Sequence, residues 1–188
     1  MKVILASASP RRKELLKRIF PNFDIIPAEI DESIPDDIGI EFAPTYLAAA
    51  KAEAIAENYP DDLIIAADTV VIFDGEVFGK PTDDQNAIKM LRALSGNTHK
   101  VITGCCIRKG DRCTSFSEES LVSFYNLSDS EIDQYVKSGA SKGKAGAYGI
   151  QDRGALFVEK IEGDYYNIVG LPIGRINQEI KTILEEEK

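Results

Sequence analysis

Short apolar runs alternate with helix-period segments along this chain, and turn residues separate them. Val3–Ala6 is an apolar run of the length of a short buried strand. Ser9 and Pro10 follow in N-cap and first-helical positions, predicting a helix from Pro10 to about Ile19. Phe23–Ile30 predicts a strand ending in the acidic cluster Glu29-Ile30-Asp31-Glu32, Pro35–Gly39 a loop, and Pro44–Asn58 an Ala-rich helix. Leu63–Phe73 is a long apolar run closed by Asp74-Gly75, a two-residue hairpin signal, with Glu76–Gly79 as the returning strand. Thr82-Asp83-Asp84-Gln85 has the capping-box pattern for a helix to about Leu94, ended by Gly96. Val101–Arg108 and Cys113–Tyr125 predict a strand pair around Gly110-Asp111, and Ser128-Asp129-Ser130-Glu131 is a second capping box, for a helix ending near Gly139. Residues 139–154 are rich in Gly and Lys and show no clear period. Ala155–Ile161 and Tyr165–Val169 predict a hairpin turning at Glu162-Gly163-Asp164, and Pro172 opens a C-terminal helix to about Glu185. The alternation predicts an α/β fold over residues 1–188, one compact domain or two small lobes sharing a sheet.

Several positions in this pattern carry charge where folding alone would not put it. Arg11, Arg12 and Lys13 fall in the first turn of the first helix, where the macrodipole favours acids. A bound polyanion reverses that preference, because a helix start flanked by Arg forks suits phosphate; splaying of the three cations into solvent is the bland alternative. Asp68 interrupts the Leu63–Phe73 run on the same strand face as Ile64, Ala66, Val70 and Ile72. A carboxylate there must be paired, protonated or metal-bound, unless the strand bulges or ends at Asp68-Thr69. Lys51 lines up with Leu47, Ala54 and Ile55 on the apolar stripe of its helix, as a site residue or as a snorkelling side chain. Lys80, in the rigid turn Gly79-Lys80-Pro81, is either aimed at a pocket or solvated, and Glu32 at a strand end suits a hard cation together with Asp68. His99, the one histidine, reads as a structural turn residue.

Composition narrows the partners. The formal net charge of -9, from 22 Lys and Arg against 31 Asp and Glu, argues against a nucleic-acid footprint, so an anionic ligand must be drawn in by a local cationic cluster. No apolar run approaches the ~18 residues that cross a bilayer, and the N-terminus lacks a signal-peptide pattern. The three cysteines, Cys105, Cys106 and Cys113, have no metal-ligand spacing and read as reduced, buried thiols of a cytoplasmic protein.

An ordered set of motifs runs nearly end to end: Leu5-Ala6-Ser7-Ala8-Ser9-Pro10-Arg11-Arg12, Ala67-Asp68-Thr69-Val70-Val71, Gly79-Lys80-Pro81, Leu94-Ser95-Gly96 with His99, Val101-Ile102-Thr103-Gly104, Lys144-Ala145-Gly146-Ala147-Tyr148-Gly149-Ile150-Gln151, and Gly163-Asp164-Tyr165-Tyr166-Asn167 with Gly170-Leu171-Pro172. In this the chain resembles the Maf family of nucleoside triphosphate pyrophosphatases. The resemblance implies a long curved mixed β-sheet with flanking helices, and two lobes with a nucleotide cleft between them, similar to inosine triphosphate pyrophosphatases. It implies hydrolysis of a nucleoside triphosphate to the monophosphate and pyrophosphate with Mg2+ or Mn2+, in a cytoplasmic homodimer. By position, Asp68 matches the proton acceptor; Arg11, Thr69 and Gln151 match positions tied to substrate choice; and Ser7, Arg12, Glu32, Lys51 and Lys80 match other active-site positions. The segment ending in Gln151 resembles the branch acting on dTTP and UTP, and an amide there suits a uracil or thymine edge. Gly143 departs from the acidic residue usual before the Lys of that segment. Glu32 and Asp68 are expected to hold the divalent ion, and Arg11, Arg12, Lys51 and Lys80 to clamp the phosphates. A non-catalytic nucleotide-binding regulator of division and a purine-directed house-cleaning enzyme are the rival expectations; the family's name reflects a link to inhibited septation.

Overall fold

The computed structural model describes residues 1–185. Its strands are β1 (Val3–Leu5), β2 (Asp24–Ile25), β3 (Leu63–Phe73), β4 (Glu76–Phe78), β5 (Thr98–Lys109), β6 (Arg112–Phe124) and β7 (Val158–Glu162). Its helices are α1 (Pro10–Leu16), α2 (Ala43–Ala56), α3 (Asp84–Leu94), α4 (Asp129–Lys137), α5 (Tyr165–Val169) and α6 (Ile173–Glu185), with short 3-10 turns at Ala145–Ala147 and Arg153–Phe157. The fold is mixed α/β. Seven strands form one sheet in the order β2-β1-β3-β5-β6-β7, with β4 paired to β3. β1 runs parallel to both β2 and β3, whereas β3 with β4 and β6 with β7 are antiparallel. β5 and β6 are sheet neighbours joined across Gly110-Asp111, a link too short for any but an antiparallel pairing. No helix among the described residues is long and apolar enough to cross a membrane.

Most of the predicted elements stand. The cap at Ser9 and the capping box of Ser128 with Glu131 are both formed. β3 runs unbroken through Asp68, which removes the reading of that residue as a strand end. Five expectations are corrected. The strand expected over Phe23–Ile30 is only Asp24–Ile25, because its partner β1 offers three residues and Pro27 has no N–H to donate. Thr82 does not cap α3: the Asp83 side chain accepts the Asn86 N–H at 2.7 Å, so the helix starts one residue later. His99 lies within β5 and is buried, not in a turn before it. Tyr165–Val169 is a helix, and the partner of β7 is β6. Cys113 is exposed, whereas Cys105 and Cys106 are buried.

Two compact units divide the chain, and the division falls within β3, β5 and β6. The first holds Met1–Asp68, Thr103–Glu118 and the stretch from Gly170 onward. Its core packs Ala48, Ala52, Ile55 and Ala56 of α2 on Ile4, Ala6, Ile64, Ala66 and Cys106. Small residues on α2 let the helix lie close to the sheet, and Gly104 faces its first turn. A Cβ there would stand 2.2 Å from the Thr45 nitrogen and 2.3 Å from the Pro44 carbonyl carbon, which no side-chain adjustment relieves. Gly104 therefore lets α2, and Lys51 upon it, seat on β5.

The second unit holds Thr69–Ile102 and Glu119–Val169. In it α3 packs against α4 and against the Ala145–Ala147 turn. Buried Asn167 spends both amide hydrogens inward, on the Val101 carbonyl at 3.0 Å and Ser120 Oγ at 2.8 Å, which accounts for its motif structurally. His99 sits edge-on to Phe124 and Tyr148, with Nε2 2.8 Å from the Tyr148 hydroxyl. Its Nδ1 is buried and finds no hydrogen-bond partner among the described residues. Burial lowers the imidazole from 6.5 to about 4. Between those values the unfolded chain binds a proton that the folded chain refuses, so stability falls as pH drops from 6.5 towards 4. The His99→Gln variant is expected to lack this component, up to about 3 kcal/mol of it, when denaturant unfolding of both proteins is followed across that range.

Candidate functional site

The first unit gathers six of the residues singled out by sequence: Ser7, Arg11, Arg12, Glu32, Lys51 and Asp68. Lys51 pairs directly with two of them. It sits in the middle of α2, in register with the buried positions Leu47 and Ile55, and only 8% of the residue is exposed. Its ammonium does not snorkel away from the core. It lies 2.7 Å from Asp68 Oδ1 and 2.7 Å from Glu32 Oε1, so one cation draws together a strand carboxylate and a loop carboxylate. Asp68 is mostly covered, with its side chain 18% exposed, while Glu32 is 56% exposed. Burial thus grades across the trio, and its open edge is at Glu32.

Arg12 forms the second element. Ser9 Oγ accepts the Arg12 backbone N–H at 3.4 Å and fixes the start of α1. The guanidinium then reaches back over the start of the chain: Nε donates to the Gly170 carbonyl at 2.9 Å, and one terminal nitrogen donates to Ser7 Oγ at 3.2 Å. Ser7 Oγ also accepts the Ser9 N–H at 3.3 Å. Both hydroxyl lone pairs are thereby engaged, and what Ser7 can offer a ligand is its own proton. Burial lowers the Arg12 guanidinium from its ordinary range, opposed by the charge of Asp68, reinforced by Arg11, and opposed again by Glu32. This electrostatic link couples Arg12 to the Lys51 trio.

Thr69, Lys80 and Gln151 belong to the second unit. Thr69 is half-buried on β3 directly after Asp68; Lys80 is exposed just past β4; Gln151 is exposed in the segment between the two 3-10 turns. Around Gln151 the structure also assembles Tyr135, Lys144 and Asp152 into one hydrogen-bonded group. Sequence patterning does not mark that group, since Tyr135 falls on the apolar stripe of α4 like any core aromatic. The only local hint is Asp152, spaced to accept the Gly154 N–H.

Among the described residues no three His, Cys, Asp or Glu side chains converge as a metal cage. Glu32 and Asp68 nonetheless present hard oxygen donors to one cation, and a divalent ion of the Mg2+ type takes one or two carboxylates while phosphates and water complete its shell. The donor chemistry fits such an ion. Chemically, the first unit holds cations to neutralise phosphate oxygens, a hydroxyl donor, and a mostly covered carboxylate able to take a proton from water.

The family model for Maf-like protein matches residues 2–183. A protein of Geobacillus sp. (strain WCH70) named dTTP/UTP pyrophosphatase is 46% identical over 181 residues, spanning 96% of this chain and 97% of the relative. Another of that name, from Bacillus mycoides (strain KBAB4), is 45% identical over 185 residues, spanning 96% and 94%. The solved structure of the Staphylococcus aureus Ham1 protein is 16% identical with a TM-score of 0.48, covering 66% of this chain and 72% of that one, a likeness too slight to bear on function.

The geometry of Arg12 carries its own test. An ammonium cannot reproduce a fork that bonds Gly170 and Ser7 at once. Arg12→Lys is expected to lower stability by about 1–2 kcal/mol in urea unfolding, through loss of contacts that bind the two ends of the chain.

Proposed function

The chain belongs to the Maf family, and on that premise we propose that it hydrolyses dTTP and UTP to the nucleoside monophosphate and pyrophosphate. The observation that carries this reading is the Glu32–Lys51–Asp68 trio, a cation and two carboxylates at 2.7 Å with Arg12 electrostatically linked to them. The near full-length likeness to relatives named dTTP/UTP pyrophosphatase supports the choice of substrate.

Attack on the α-phosphorus requires a water held in line with the leaving pyrophosphate and charge to meet the negative oxygens of the transition state. In this reading Asp68 spends Oδ1 on Lys51 and uses its other oxygen to orient and deprotonate the water. Lys51 keeps that carboxylate in place and adds positive charge. Arg11, Arg12 and Lys80 hold phosphate oxygens, with the Ser7 hydroxyl proton as a neutral donor. Glu32 and Asp68 would hold a divalent ion, Mg2+ or Mn2+, which when bound neutralises phosphate charge and favours departure of pyrophosphate. Gln151 reads the base edge, donating and accepting through one amide, and Thr69 and Arg11 contribute to substrate choice. The family resemblance further supports a cytoplasmic homodimer with a house-cleaning role.

Pyrophosphate release measured across dTTP, UTP, GTP and ITP, with and without Mg2+, is expected to favour the pyrimidines and to need the ion; preference for ITP would overturn the substrate assignment. The Asp68→Asn variant is expected to lose turnover by roughly 10²–10⁴-fold while nucleotide still binds, read by equilibrium titration. Turnover equal to that of the unaltered enzyme would remove Asp68 from its assigned role.

A further inference from the structure

The segment that carries Gln151 is held in place from both sides. Tyr135 reaches it from α4 with its side chain buried. Its hydroxyl accepts the Gly149 N–H at 3.1 Å and lies 3.3 Å from both Asp152 Oδ1 and the Ala140 carbonyl. Asp152 Oδ1 also accepts the Gly154 N–H at 3.1 Å, and its second oxygen pairs with the Lys144 ammonium. That ammonium donates in addition to the Ala140 carbonyl at 2.6 Å. The backbone closes on itself as well, the Asp152 N–H meeting the Gly149 carbonyl at 3.3 Å.

The clasp side chains lie directly over the segment. A Cβ on Gly149 would stand 2.7 Å from Asp152 Oδ2 and 2.9 Å from Lys144 Cε. Buried Ala147, four residues before Gln151, is held at a φ of 60°, a region unfavourable to any residue with a side chain. Burial works against the Asp152 carboxylate, yet the hydrogen bonds from Lys144 and the Gly154 N–H and the Lys144 charge outweigh it, and the group titrates below the usual range. The Asp152 carboxylate therefore stays charged at neutral pH. Gln151 itself is exposed, between buried Ile150 and the clasp residue Asp152.

We infer that Tyr135, Lys144 and Asp152 are positioning residues that hold the backbone on either side of Gln151, so that its amide meets a pyrimidine edge in one orientation. The inference rests on the proposed reading of Gln151. An amide that must donate and accept at once discriminates only if its carbonyl and amino ends are fixed; on a mobile loop the same amide suits any base. The clasp thus acts on selectivity and substrate affinity, not on the phosphoryl chemistry assigned to the first unit.

The test compares Tyr135→Phe, Lys144→Met and Asp152→Asn with the unaltered enzyme, each also combined with Gln151→Ala. Pyrophosphate release is followed for dTTP and ITP. Each clasp variant is expected to raise KM for dTTP about five- to tenfold, the equivalent of one hydrogen bond, with kcat within about twofold and the dTTP-over-ITP preference reduced to match. In the Gln151→Ala background the same substitutions are expected to change KM by less than about twofold, because what they position is gone. Lys144→Arg, which keeps the charge, is expected to restore most of the preference, and it serves with Lys144→Met as the decisive pair should Tyr135→Phe fail to fold. Unchanged KM and preference in the clasp variants, or a penalty that persists without Gln151, would overturn the inference. Failure of the unaltered enzyme to act on dTTP would instead remove the function on which it is built, so the two failures are told apart by the first measurement.

Discussion

A lysine placed among the buried positions of a helix has to find negative charge within reach of its side chain, and much of the first unit is arranged so that Lys51 does. Its ammonium binds Asp68 from the adjacent strand and Glu32 from a loop without regular structure, both at 2.7 Å. Leaving Lys51 or Asp68 unmatched in so covered a place would cost more than the pair contributes when intact. The arrangement is a constraint before it is a source of stability. It dictates that α2 lie flat on the sheet, that β3 continue through an acidic residue, and that the acidic loop turn inward.

Close backbone approach makes that geometry reachable. The Ala-rich side of α2 and the absence of a side chain at Gly104 bring the helix against β5. Arg12 makes a comparable tie at the chain's two ends, binding Ser7 near the start and the Gly170 carbonyl late in the sequence. Each tie uses a charged side chain partly withdrawn from water, where a point charge and a planar fork have different work to do: Lys51 draws two oxygens to one centre, whereas Arg12 holds two acceptors apart along a plane.

The second unit solves a different problem, how to fix a short irregular segment that has no sheet or helix to hold it. Hydrogen bonds among Tyr135, Lys144 and Asp152 take the place of a ladder, and one of them is also an ion pair. A neutral network of the same size would hold the segment less tightly.

Elements whose signals are local could be read directly from the residues: the cap at Ser9, the capping box at Ser128, the hairpin at Asp74-Gly75 and the interrupted apolar run of β3. The oddity of Lys51 and Asp68 was equally legible, since helical and strand periods each place a charge on an apolar face. Readings failed where a partner elsewhere decided the outcome. The strand after Phe23 stopped with the short β1, Tyr165–Val169 went helical because β7 pairs with β6, and His99 became a buried strand residue through Phe124 and Tyr148. Periodicity and capping depend on neighbours a turn or a pleat away, so the residue order alone settles them. Which carboxylates meet Lys51, and which side chains brace Gln151, depends on residues beyond the reach of a helical turn or a pleat, and only their packing brings those atoms within hydrogen-bond distance.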